Sequence, residues 1–172
     1  MSKELDSFLN TWEFESQQTA KLLRSLPESQ YDSRPWSDGR SLGEMAWHLA
    51  EVEAYTTDAI ANGKFDFEKK IPGLERPRQI AELAPGYERV HQEAVTRVKS
   101  LQDSDLDRTI AFGPGREMPI RIVLWGATLH HLIHHRGQLV TLARIAGGKP
   151  PGMYGPNRED YLAMKEMAGQ KR

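Results

Sequence analysis

Four of the chain's six histidines crowd into one stretch, His130-His131-Leu132-Ile133-His134-His135. Histidines four apart on a helix project from one face on successive turns, so their imidazoles can grip a single ion. The stretch offers two such pairs, His130/His134 and His131/His135. At about 100° per residue, His131 and His135 share a stripe with Leu124, Ala127, Gln138 and Leu142. That stripe is largely apolar and is predicted to face the interior. His130 and His134 fall nearer Val123, Gly137 and Thr141, at its margin, so the inward pair is the better ligand candidate.

A facial site needs a third ligand from another helix. His48 lies in line with Met45, Val52, Tyr55 and Ala59, again an apolar stripe. A buried imidazole is costly without a hydrogen bond or a metal, so all three side chains require partners. Three neutral imidazoles around one divalent ion would leave positions open for water or substrate, the pattern of a catalytic rather than a closed site. Glu44 and Glu51 flank His48 at about one-turn spacing, and each could orient it, act as a base or be a solvated charge. The plain alternative for the trio is three core histidines satisfied by hydrogen bonds. His91, beside charged neighbours, reads as a surface residue.

The elements that must position these residues are mostly helical. Leu5, Phe8, Leu9, Trp12, Phe14, Thr19, Leu22 and Leu23 fall roughly three and four apart, predicting a first helix over roughly residues 4–25. A loop follows from Gln30 to Gly39. Ser41-Leu42-Gly43-Glu44 matches a capping box and opens a second helix that should stop at Asn62-Gly63. The charged, proline-containing stretch from Lys64 to Arg78 reads as a connection. A third helix holds Ile80, Leu83, Tyr87, Val90, Val95, Val98 and Leu101, with Pro85 read as part of its first turn. Thr109–Phe112 and Arg116–Ile120, around Gly113-Pro114-Gly115, resemble a small hairpin or an extended loop. The fourth helix spans Pro119 to Ile145, closed by Gly147-Gly148, and a turn-rich loop leads to a short terminal helix from Arg158 to Met167. Four main helices predict an all-α bundle with mostly antiparallel neighbours.

Bulk composition narrows the classes. A length of 172 residues fits a single domain spanning the chain. With 23 basic and 24 acidic residues the net charge is −1, which argues against nucleic acid as a partner. Cysteine is absent, so no thiolate ligand, disulfide or cysteine nucleophile can come from this chain. No apolar run approaches the roughly 18 residues needed to span a bilayer, and the first residues lack a secretory apolar core. The expectation is a cytoplasmic protein without membrane partners.

His131-Leu132-Ile133-His134-His135-Arg136-Gly137-Gln138-Leu139 resembles the H-x-x-H-H-R-G-Q-L signature of the DinB/YfiT-like superfamily. Ser41–Leu49 resembles the segment carrying that family's first ligand, and Pro151–Pro156 resembles its C-terminal loop. The resemblance implies an up-down-down-up four-helix bundle with a long second-to-third-helix connection, often a homodimer. It also implies a divalent metal, commonly nickel or zinc, on His48, His131 and His135, the same three residues that the helical faces select. Within the signature, Gln138 could bond a ligand or a metal-bound water. Arg136 points away from the histidine pair and fits a structural salt bridge, and Gly137 fits close helix packing. Tyr154 either covers the site or packs the loop. A second apolar side of the fourth helix, Ile122, Leu129, Ile133 and Val140, must also be buried, against another helix or a second subunit.

Two functional readings remain. One is a metal-dependent transferase or hydrolase that activates an external low-molecular-weight thiol or a water for a small-molecule substrate, with Glu44, Glu51 and Gln138 as candidate catalytic groups. The other is a non-catalytic dimer that binds metal or a small ligand in a stress response. No H-E-x-x-H sequence is present, so a metalloprotease is not implied.

Overall fold

The computed structural model describes residues 3–66 and 68–169. Its frame is four helices: α1 (Lys3–Arg24), α2 (Leu42–Asn62), α3 (Ile80–Lys99) and α4. The last is one continuous helix of three segments: an α-helical turn Ile120–Ile122, the π-helical Val123–His130 and the α-helical His131–Ile145. A terminal helix, α5 (Arg158–Gly169), completes the chain.

Cross-helix pairs give the directions. Glu53 meets Tyr87 and His91, and Thr57 meets Arg97, so α2 and α3 run parallel. Arg24 meets Glu88 while Glu13 meets His91, so α1 opposes α3. Thr128 meets Thr56 and His135 meets His48, so α4 opposes α2. Phe8 meets Trp125 and Glu15 meets Arg136, so α4 runs with α1. The bundle is therefore up-down-down-up. Neighbours are not mostly antiparallel, because the 63–79 connection carries the chain back along the bundle before α3 starts.

Local chemistry sets the boundaries. The Ser41 hydroxyl accepts from the Glu44 amide at 3.2 Å while the Glu44 carboxylate accepts from the Ser41 amide at 2.8 Å, completing the capping box. Gly63, at φ 73°, supplies the left-handed residue that ends α2. Gly43 lies so close to Tyr31 that a Cβ would sit 2.3 Å from the ring, so only glycine admits this approach. Pro85 lies in the second turn of α3, whose first residue is Ile80, and is not part of the first turn. Its missing N–H leaves the Ala81 carbonyl without its helical donor. Both residues are exposed, so water can serve there.

The hairpin forms as β1 (Thr109–Ala111) against β2 (Glu117–Pro119), antiparallel, with Ile110 opposite Met118. Its inner edge also holds the start of the long connection. The Phe65 amide donates to Ala111 O at 2.8 Å, and the Ala111 amide donates to Gly63 O at 3.0 Å. This stitching carries Phe65 and Phe112 to one end of the α2–α4 groove, their rings 4.8 Å apart. The core between the four helices is built on Trp12, Trp47, Tyr87, Phe8 and their leucine neighbours. Among the described residues no helix is long and apolar enough to cross a membrane.

Candidate metal centre

α2 and α4 bring His48, His131 and His135 together. One nitrogen from each lies within 4.8 Å of the others. Nε2 of His131 and Nε2 of His135 are 2.7 Å apart, one helical turn separating them, and the His48 ring is 4.6 Å from that of His135. Two of the imidazoles are also held from behind. His48 donates through Nδ1 to Glu51 Oε2 at 3.1 Å, and His135 donates through Nδ1 to Gln138 Oε1 at 2.7 Å. Acceptors behind metal-binding imidazoles fix the tautomer and aim the free nitrogen, so this donor set fits a divalent ion.

Electrostatics favours neutral rings. Partial burial, then the charges of His48 and His134, lower the pKa of His131, with Arg40 adding to the effect. Burial likewise lowers His135, to about 4; Gln138 opposes the shift and the neighbouring histidine charges reinforce it. On α4, two bases that resist protonation at neutral pH present their lone pairs to a cation instead.

The other sequence candidates divide. Glu51 belongs to the cluster, and its second oxygen accepts from Arg76 at 3.0 Å. Burial raises its pKa, but the bonds from His48 and Arg76 outweigh burial and hold it below the usual carboxylate range. Gln138 belongs too, and its amide nitrogen lies 3.1 Å from His134 Nε2. Glu44 does not join them. Bonds from Arg34 and from the Ser41 amide bring it down to about 2, and its carboxylate is committed to that pair.

The stripe of α4 that enters the core is Leu132, Arg136, Leu139 and Ala143, one residue on from the expected one. His131 and Gln138 are exposed and His135 is half-buried, so the histidines rim a cleft and do not lie in the interior. The π-helical turns cause the offset. The His131 amide bonds Gly126 O, five residues back, so the faces before and after this segment do not follow a single 100° projection. Arg136 is in the core with its guanidinium on Glu15 and Tyr154, forming the structural salt bridge. Gly137 is exposed and a Cβ there would meet nothing within 4 Å, so it does not serve close packing within this chain. Of the second apolar side, Leu129 is buried, Ile133 and Val140 are half-buried, and Ile122 is 49% exposed. His130 and His134 are exposed.

His91 is not at the surface. It is buried between Glu53 and Glu13, with Nδ1 2.8 Å from Glu53 Oε2 and Nε2 3.3 Å from Glu13 Oε2. The sequence signal for this was Glu53 itself, set among Ala46, Leu49, Ala50, Thr57 and Ile60.

Two clefts open on the cluster. One, of about 770 Å³, lies between α4 and the 35–40 loop and reaches His135 and Gln138. The other, of about 640 Å³, reaches His48 and His131 and is walled by Val52, Phe65, Phe112 and Met118. Arg40 lines both, a position that no helical pattern marks because it lies in a loop.

A four-helix bundle with three converging imidazoles at the junction of two open clefts defines the class. The chain belongs to the DinB family, whose family model matches residues 1–167. It is 33% identical over 165 residues to the uncharacterized protein YrdA of Bacillus subtilis strain 168, covering 94% of each chain. Among solved structures it is similar to a DinB-like protein from Bacillus cereus ATCC 10987, with a TM-score of 0.73 and 30% identity over 87% of this chain and 97% of that one. A DinB-like protein from Bacillus subtilis, YjoA, shares the fold with a TM-score of 0.70 and 21% identity, over 88% of this chain and 99% of that one.

Proposed function

We propose that the chain holds one divalent ion, nickel or zinc, on His48, His131 and His135, and is a metal-dependent transferase or hydrolase acting on a small molecule. The observation that carries the reading is the convergence of three imidazole nitrogens, two of the rings braced from behind, at a site open to two clefts. Such an ion, when bound, lowers the pKa of a water or of an external low-molecular-weight thiol toward neutrality.

The residues supply the rest. Glu51 holds the His48 proton on Nδ1, which leaves Nε2 free as a ligand. Gln138 does the same for His135 and keeps its amide nitrogen toward His134. Glu51 is held in its ionised form and bonds His48 directly, whereas Glu44 is committed to Arg34, so Glu51 is the better candidate to take a proton from a reacting group through a water. Two clefts flanking one centre suit a reaction between two organic partners, which favours transfer to or from a thiol over hydrolysis.

A second copy of the chain is part of the reading. Ile133 and Val140 stay half-exposed on α4, and α5 has no buried residue, so apolar surface remains for a homodimer. Sedimentation of the purified protein tests this.

Elemental analysis of the purified, untagged chain tests the centre. About one ion per chain is expected, lost from His48→Ala and from the double variant His131→Ala/His135→Ala after dialysis. Retention of a full equivalent by these variants would overturn the assignment.

A further inference from the structure

Arg40 is exposed at the seam of the two clefts and, among the described residues, has no hydrogen-bond or ion-pair partner. The other arginines near the site differ: Arg34 is committed to Glu44, and Arg76 is shared between Glu51 and Glu44. In the 640 Å³ cleft the one carboxylate is Glu51, and both its oxygens are already engaged. Arg40 is thus the uncompensated formal charge of that cleft. Beyond it the walls are apolar: Val52, Phe65, Phe112, Met118 and Ile122. Tyr55 also lines the cleft, and its hydroxyl has no partner among the described residues.

A free guanidinium beside an apolar, walled cavity is a receptor for an anion with an apolar body. The guanidinium fork matches a carboxylate in two parallel bonds. One unpaired arginine balances one negative charge, so a monoanionic carboxylate suits it better than a doubly charged phosphate. The apolar walls gain by removing an alkyl chain or an aromatic ring from water. Arg40 precedes α2 and lies within electrostatic reach of His131, while Phe65 and Phe112 meet beyond the end of α2, so the head belongs beside His131 and the body toward the two rings.

We propose that the cleft between α2, α4 and the hairpin binds an organic carboxylate with an aromatic or alkyl body, its carboxylate on Arg40 and its body against Phe65, Phe112 and Met118. This names the class of one substrate for the centre proposed above, and it rests on that reading only for what then happens to the ligand.

The test is binding, measured on metal-stripped and on zinc-loaded protein of known metal content, with 4-phenylbutyrate and the neutral 4-phenylbutyramide as probes in amide chemical-shift titrations. The carboxylate is expected to bind at least about fivefold tighter than the amide to the metal-stripped chain, a gap of the size one charge pair gives at a cleft mouth. Arg40→Gln should abolish that gap and leave the amide unaffected, while Arg40→Lys restores part of it. Phe112→Ser should weaken both probes alike. An unchanged carboxylate affinity in Arg40→Gln, or shifts that map away from residues 52–65 and 109–131, would overturn the proposal. Arg40 makes no contact that folding needs, so an unaltered melting temperature is expected of the variant. If zinc fails to load while the Arg40 effect persists, the metal reading fails and this inference stands. If zinc loads on the three histidines and Arg40 is without effect, the reverse holds.

Discussion

Glu53 has no exposed surface, yet it is a carboxylate at the centre of the bundle. It persists there because Trp12 Nε1 and the Tyr87 hydroxyl donate to one oxygen, at 3.0 and 2.7 Å, and His91 takes the other. Burial alone would lower the His91 pKa, but the bond and charge of Glu53, with those of Glu13, raise it. A histidine whose folded pKa exceeds its unfolded value near about 6.5 adds stability that is fully present below that value. The contribution disappears as pH rises through the folded pKa. Urea unfolding between pH 5.5 and 8.5 should therefore show wild-type stability falling with pH relative to His91→Gln, and parallel curves would refute the pairing. The convergence of the histidine trio was legible in sequence because His131 and His135 are spaced one turn apart on one helix and His48 interrupts an apolar stripe on another. His91 was not, since its charged neighbours in sequence point outward and the carboxylate that accommodates it comes from α2. Arg40 lacked even that much signal, because a loop residue carries no periodicity.

The elements themselves were largely readable. Capping at Ser41 and Glu44, the glycine stop at Gly63 and the hairpin all follow from local chemistry that tertiary packing does not override. The eight π-helical residues Val123–His130 were not readable, since a change from four- to five-residue hydrogen bonding has no fixed residue signature. They sit directly before His131 and shift the phase of α4, which is why the core face fell one residue from the expected stripe. Thr128, in the middle of them, reaches Thr56 Oγ1 at 2.8 Å and ties the segment to α2 one turn from the cleft wall. Gly137 is the other departure on this helix. Its backbone is helical and its missing Cβ faces open space, so Gly137→Ala should raise stability by about 0.5–1 kcal/mol through helix propensity. Thermal unfolding measures this directly. A loss in place of a gain would mean that the surface around residue 137 is covered in solution.

At the scale of the molecule, Arg136 ties three separate parts of the chain together. Its guanidinium bonds the Glu15 carbonyl and carboxylate on α1, lies near Thr19, and meets the Tyr154 hydroxyl on the C-terminal loop. Tyr154 in turn donates to Glu15 at 2.8 Å. Arg136→Ala leaves the nearly buried Glu15 carboxylate without its cation, and a broken buried pair of this kind costs about 3–5 kcal/mol. Urea unfolding should register that loss, and amide exchange over residues 150–157 should quicken with it. A change below about 1 kcal/mol would place the pair among weak surface bridges.

The parallel course of α2 and α3 bears on how the chain comes together in time. Trp12, Glu53, Tyr87 and His91 all belong to the first three helices, so that polar knot can close from the N-terminal hundred residues. His48 and His131, by contrast, stand more than eighty positions apart, with the 63–79 crossover, α3 and the hairpin between them. Bringing them together closes a loop of more than eighty residues, and its entropy cost comes before any contact across the cleft repays it. A ribosome releases the first of these histidines well before the last turn of α4 exists. The three-nitrogen arrangement is thus a property of the completed chain, because His48 reaches the pair on α4 only once that helix exists.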